Sequence, residues 1–213
     1  MKNLTKYPLV IFDLDGTLID STPKLTADVV DAMKRCGISI TPKDVKGNWY
    51  ALAENYGITK EQFDAELDKR MSWQEALKRG IVKMFPETDD VLRYLQSRKV
   101  KMTLLSRSIP EYTNQKVKHF GLERYFDITR VTPVSAKSKT PEALDIVRES
   151  NPSRLESVYC VGDSEEDLTI AQDIQDQYKL NSSGVYVNRN SISNLPQYKS
   201  IKSLNELSLL MGV

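Results

Sequence analysis

A single histidine, His119, stands in 213 residues, beside only two cysteines, Cys36 and Cys160. The lone histidine argues against a histidine-based triad and a multi-histidine zinc site. With Lys116, Lys118 and Gly121 around it, it reads as a surface residue near a helix end. The cysteines lie far apart without metal-ligand spacing, and Cys160 sits inside an apolar run, so free thiols in a reducing cytoplasm are expected. Charge of one sign is also missing: thirty Lys and Arg face twenty-nine Asp and Glu, which leaves no global field to draw in nucleic acid or anionic lipid. No hydrophobic run is long enough to span a bilayer. The apolar stretch after Lys2 and Lys6 is too short for a signal-peptide core and runs straight into Asp13. Neither nucleic acid nor membrane is therefore expected as a partner.

What is present is a rhythm. Short apolar runs recur at Leu9 to Phe12, Val100 to Leu105, Asp127 to Val131, Ser157 to Val161 and Gly184 to Val187, with helix-like stretches between them. That alternation predicts a parallel sheet with helices on both faces. Helices are predicted from Thr88 to about Arg98, from Ile109-Pro110-Glu111 to before Gly121, and from Pro141-Glu142 to near Asn151-Pro152. Between the first two strands the pattern changes. From about Ser21 to Arg79 the chain reads as wholly helical, far more than one crossover helix requires. The expected fold is α/β: a three-layer, Rossmann-like parallel-sheet core, residues 1–20 and 83–213, with an inserted helical cap domain, residues 21–82.

The first strand ends in a motif that demands chemistry. In Phe12-Asp13-Leu14-Asp15-Gly16 the strand period sends Asp13 and Asp15 to one side and Phe12 and Leu14 to the other. Two convergent carboxylates repel unless a cation or a shared proton intervenes, so the motif reads as a metal site, an acid/base pair or a plain Asp-Gly turn. Ligands of open parallel sheets sit at the carboxyl ends of the strands. The residues there would be Asp13 and Asp15, then Ser106-Arg107-Ser108, then Lys137 and Lys139, then Gly162-Asp163-Ser164-Glu165-Glu166-Asp167. Acids, a hydroxyl and amines at one edge are what phosphoryl transfer through an aspartyl intermediate needs.

These residues carry a resemblance. DLDGTL at Asp13 to Leu18, LLSRS at Leu104 to Ser108, KSKTPEAL at Lys137 to Leu144 and VGDSEED at Val161 to Asp167 together resemble the haloacid dehalogenase (HAD) superfamily, in its phosphatase branch with a helical cap after the first strand. The segment Glu111 to Asp127 is similar to the phosphoglycolate phosphatase group. The resemblance implies Asp13 as nucleophile and Asp15 as general acid, then base. It implies Mg²⁺ held by Asp13, the Asp15 carbonyl, Asp163 and Asp167, and phosphoryl oxygens gripped by Ser106 and a lysine. Lys139 is preferred to Lys137 because it adjoins the helix start at Thr140-Pro141, whose free amides favour an anion. Arg107 departs from the pattern, standing where relatives often place asparagine.

The expected activity is Mg²⁺-dependent hydrolysis of small phosphorylated metabolites, of the phosphoglycolate or sugar phosphate class. A phosphomutase would carry the same motifs, and a non-catalytic binding module could keep the fold. In the cap, Lys46, Gly47, Asn48, Trp49 and Tyr50 read as a loop dipping toward the core, with Lys46 to Trp49 as candidate specificity residues, although for Trp49 and Tyr50 core packing of the cap is the preferred reading. Trp73 and Phe63 are expected to pack.

Overall fold

The computed structural model describes residues 6–45, 49–189 and 195–213. Lys46, Gly47 and Asn48 lie outside them. The chain divides into two compact units, Met1–Ile19 with Met84–Val213, and Asp20–Lys83.

In chain order, β1 (Tyr7–Phe12) and β2 (Ile19–Asp20) are followed by four helices, α1 (Thr22–Arg35), α2 (Trp49–Glu54), α3 (Lys60–Leu67) and α4 (Trp73–Lys78). Then come β3 (Lys83–Met84), α5 (Thr88–Ser97), β4 (Lys101–Arg107), α6 (Pro110–His119) and β5 (Ile128–Thr132). The chain closes with α7 (Thr140–Glu149), β6 (Leu155–Gly162), α8 (Glu165–Tyr178), β7 (Ser182–Val187), β8 (Lys199–Ile201) and α9 (Leu207–Met211).

The larger unit is built on a parallel six-stranded sheet of order β5-β4-β1-β6-β7-β8. β1 occupies the middle because its residues are apolar on both faces. Leu9 and Ile11 join a cluster with Ala143, Ile146 and Val147 of α7 and Ile170, Ala171 and Ile174 of α8. Val10 and Phe12 are fully buried too, and the Phe12 ring meets Phe126 edge-on at 6.2 Å. The backbone N–H of Asp13 donates to Val161 at 2.9 Å, which carries the β1–β6 pairing one residue past the strand. Asp13 thus continues the face of Leu9 and Ile11. The N-termini of α7 and α8 border that same face.

The smaller unit is helical, as the sequence predicts. Val29, Ala32 and Met33 of α1 pack with Ala53 of α2, Ile58, and Phe63 and Leu67 of α3. Thr59 starts α3 by reciprocal capping: its hydroxyl accepts from Gln62 N at 3.3 Å, and Gln62 Oε1 accepts from Thr59 N at 3.0 Å. One expectation changes here. Trp49 and Tyr50 belong to helix α2 and not to a loop, because Trp49, Leu52 and Ala53 recur at helical spacing and turn one side into the cap cluster. Tyr50 also packs edge-on against Phe63 at 5.8 Å and donates its hydroxyl to Asp64 at 2.8 Å.

Candidate active site

Four segments of the larger unit deliver the polar residues. After β1 the chain turns sharply: Leu18 N and Ile19 N both donate to the Leu14 carbonyl, at 2.9 and 3.0 Å, and Gly16 N donates to Ile19 O at 2.8 Å. Gly16 has φ +84°, and a Cβ there would land on the Asp163 carboxylate. The motif glycine is therefore required twice, for its backbone conformation and for the approach of an acid. Gly162, at the end of β6, is required once: its Cβ would overlap the Asp167 side chain.

Asp13, Asp15, Ser106, Lys139, Asp163 and Asp167 line one cavity of about 200 Å³, together with Arg107, Ser164 and Glu166. Lys139, at the start of α7, is the bridge. Its Nζ donates to Asp13 Oδ1 at 2.7 Å and to Asp167 Oδ1 at 2.6 Å, and all three side chains are buried. Lys137 is exposed. The second oxygen of Asp167 accepts from the Ser164 hydroxyl at 2.5 Å and from Ser164 N at 3.3 Å, fixing the first turn of α8. Ser106 is buried at the end of β4, which pairs there with Val131 of β5.

Asp13, Asp163 and Asp167 can each present an oxygen such that all three lie within 4.8 Å of one another. Burial pushes the Asp13 carboxyl well above the ordinary range; Lys139 pulls it back, while Asp167 and Asp163 push it further up. Asp163 remains open to solvent as a residue, yet it rises to about 6, first by desolvation of its carboxyl in this crowd and then by Asp167. Burial works against the Lys139 ammonium, but Asp13 and Asp167 outweigh it and keep the amine protonated. One ammonium does not balance three convergent carboxylates. The missing positive charge, with an all-carboxylate donor set of hard oxygens, fits a divalent cation.

Two groups here escape sequence reasoning. Arg107 donates to the Ala136 carbonyl at 2.7 Å and pairs with Glu166, whose same oxygen accepts from Lys139 N at 2.9 Å. Arg107 and Glu166 thereby pin the loop that carries Lys139. Lys116, which the sequence offers only as a polar neighbour of His119, is buried, with its Nζ 2.5 Å from Asp15 Oδ2. The signal was present in α6: Thr113, Lys116 and Val117 fall on one buried stripe, and Lys118 and His119 fall off it onto the exposed side.

Of the candidate specificity residues, Trp49 is half-buried against the cap cluster. Among the described residues no helix is long and apolar enough to cross a membrane.

A family model, haloacid dehalogenase-like hydrolase, matches residues 10–178, a span that runs from β1 to the end of α8. Phosphoglycolate phosphatase 1 of Pseudomonas aeruginosa is 30% identical over 183 residues, covering 79% of this chain and 67% of its own. A phosphoglycolate phosphatase of Aliivibrio fischeri is 27% identical over 180 residues, covering 77% and 79%. A crystal structure described as a predicted phosphoglycolate phosphatase from Haemophilus somnus superposes with a TM-score of 0.71 at 16% identity, over 98% of this chain and 99% of that one. The chain belongs to the haloacid dehalogenase-like hydrolases, among their phosphatases, and is a phosphoric monoester hydrolase by class.

Proposed function

We propose that the protein is a Mg²⁺-dependent phosphatase of small phosphorylated metabolites, of the phosphoglycolate or sugar phosphate class, working through an Asp13-phosphate intermediate. The observation that carries this reading is the placement of Lys139 between Asp13 and Asp167, with Asp163 beside them: one amine amid three acids in a small cavity. An Asp13 oxygen attacks phosphorus while the ester P–O bond breaks, and Asp15 gives the leaving oxygen its proton. In the second half Asp15 takes a proton from water, the water oxygen bonds to phosphorus, and the bond from Asp13 to phosphorus breaks. Ser106 and Lys139 hold the phosphoryl oxygens that do not react. Mg²⁺ on Asp13, Asp163, Asp167 and the Asp15 carbonyl would offset the repulsion between nucleophile and phosphate.

The cavity favours small esters, since pockets for drug-sized ligands run to roughly 300–1,000 Å³ and this one is about 200 Å³. The names of the relatives add phosphoglycolate as the first compound to try. Both cysteines are free thiols, which suits a reducing cytoplasm. The test is phosphate release from a panel of monoesters, including 2-phosphoglycolate and hexose phosphates. Release is expected with Mg²⁺, is lost in chelator, and is absent in Asp13→Asn, which should take up no phosphate from a labelled ester. Full turnover in chelator, or by Asp13→Asn, overturns the reading.

A further inference from the structure

We infer that Lys116 is a positioning residue for Asp15, fixing its carboxyl so that Oδ1 carries the proton in both halves of the reaction. The inference rests on the phosphatase reading above and adds a residue to it. Lys116 Nζ sits 2.5 Å from Asp15 Oδ2, and Asp15 Oδ1 is buried with no hydrogen-bond partner. The two oxygens of one carboxyl thus have unlike surroundings: one is bound by an ammonium, and the other has no hydrogen-bond partner, on a residue that lines the cavity. A proton avoids the oxygen already held by a positive charge, so the acid form of Asp15 carries its hydrogen on Oδ1.

The ammonium has little freedom to move. Lys116 is 1% exposed, and Thr113 and Val117 flank it on the buried stripe of α6, so helix packing sets where Nζ lies. Asp15 lies beyond the regular part of β1 and has only an isolated bridge to Ile19, so its backbone alone does not orient its side chain. When Oδ1–H passes its proton to the leaving oxygen, the carboxylate left behind is stabilised by Lys116 at once. When water attacks, the free Oδ1 recovers a proton and Oδ2 stays bound. A purely structural ion pair would have no such consequence: losing Lys116 would leave the Asp15 charge unpaired and lower stability, slowing both kinds of substrate alike.

The experiment compares two small substrates whose leaving groups differ in their need for a proton. Acetyl phosphate expels acetate and needs none; 2-phosphoglycolate expels an alkoxide and does. In K116M, kcat/KM for 2-phosphoglycolate should fall by about 100-fold, the scale of a lost general acid, and for acetyl phosphate by less than about tenfold. K116R, which keeps the charge, should recover at least half of the lost logarithm. A crystal structure of K116M should show the Asp15 carboxyl turned from its present orientation. If K116M does not fold, K116Q keeps a donor without the charge and should show the same selective loss. An equal loss with both substrates, or an unmoved Asp15 carboxyl, overturns the inference and leaves the phosphatase reading standing. Wild-type protein that hydrolyses no ester of the monoester panel overturns that reading, and this inference with it.

Discussion

Asp163 can approach the Asp13 and Asp15 segment only because nothing projects from Gly16. Substituting alanine there sets a left-handed backbone against a Cβ and sets that Cβ against a carboxylate. Gly57 provides the comparison: its φ is +74°, but a Cβ would meet nothing within 4 Å. Gly57→Ala should therefore cost only the backbone term, about 1 kcal/mol, and leave hydrolysis intact. Gly16→Ala should cost more than that in thermal unfolding and should also abolish turnover, since Asp163 must leave its place. Equal melting shifts and equal activity in the two variants would contradict the crowding at Gly16. At this scale the sequence was informative wherever identity and spacing coincide. Asp13 and Asp15 announce themselves by strand period, and the nearness of Lys139 to a helix start favoured it over Lys137. Lys116 stayed hidden because a lysine on a helix is ordinarily solvated, and only the stripe it shares with Thr113 and Val117 marks it as buried.

Secondary-structure elements meet at Glu87, just before α5. Its Oε1 accepts from Arg189 Nη1 at 2.5 Å, from the Ser203 hydroxyl at 3.1 Å and from Leu204 N at 3.4 Å. Arg189 in turn donates to the Thr17 carbonyl at 2.9 Å and lies 3.6 Å from the centre of the Phe85 ring. The start of α5, the segment after β7 and the segment after β8 are thus tied to the loop after β1. Burial tends to raise the Glu87 carboxyl, but the hydrogen bonds, that of Arg189 foremost, outweigh it and hold the group below its ordinary value. A depressed carboxyl contributes stability that is present above its unfolded value and lost as pH falls through the folded one. Glu87→Gln should therefore lower stability by about 2 kcal/mol near neutrality, with the deficit shrinking below about pH 4. Melting curves of variant and parent that stay parallel down to pH 3 would count against it. The elements themselves were legible in proportion to their length. The long amphipathic helices and apolar strands announce themselves, whereas β8 offers three residues with only Ile201 buried, and α2 a short helix whose aromatic start looks like a binding loop.

On the scale of the whole molecule, the alternation of strands and helices was enough for the class of fold, but not for the order of the sheet. An apolar run says that a strand is buried on both faces and says nothing about its neighbours; the paired Asp13 and Asp163 motifs point to β1 beside β6, but β4 on the other side of β1 had to come from the structure. That central place brings Asp13 to the same edge as Asp163 and Asp167. Asp13 and Asp163 are raised, so in the absence of metal their contribution to stability is fully present below the unfolded carboxyl value and is lost as pH rises through the folded values, about 6 for Asp163. Metal-free protein should melt at a lower temperature at pH 7.5 than at pH 5.5, and on the proposed reading Mg²⁺ should add more at the higher pH, where Asp163 is charged. A Mg²⁺ increment independent of pH would contradict this. Finally, β2 and β3 pair with each other at the two crossings between the units. Paired strands run roughly 4.7–4.9 Å apart, so the excursion from Asp20 to Lys83 returns almost to its point of departure. To the rest of the chain it is a parenthesis, opened and closed at one place.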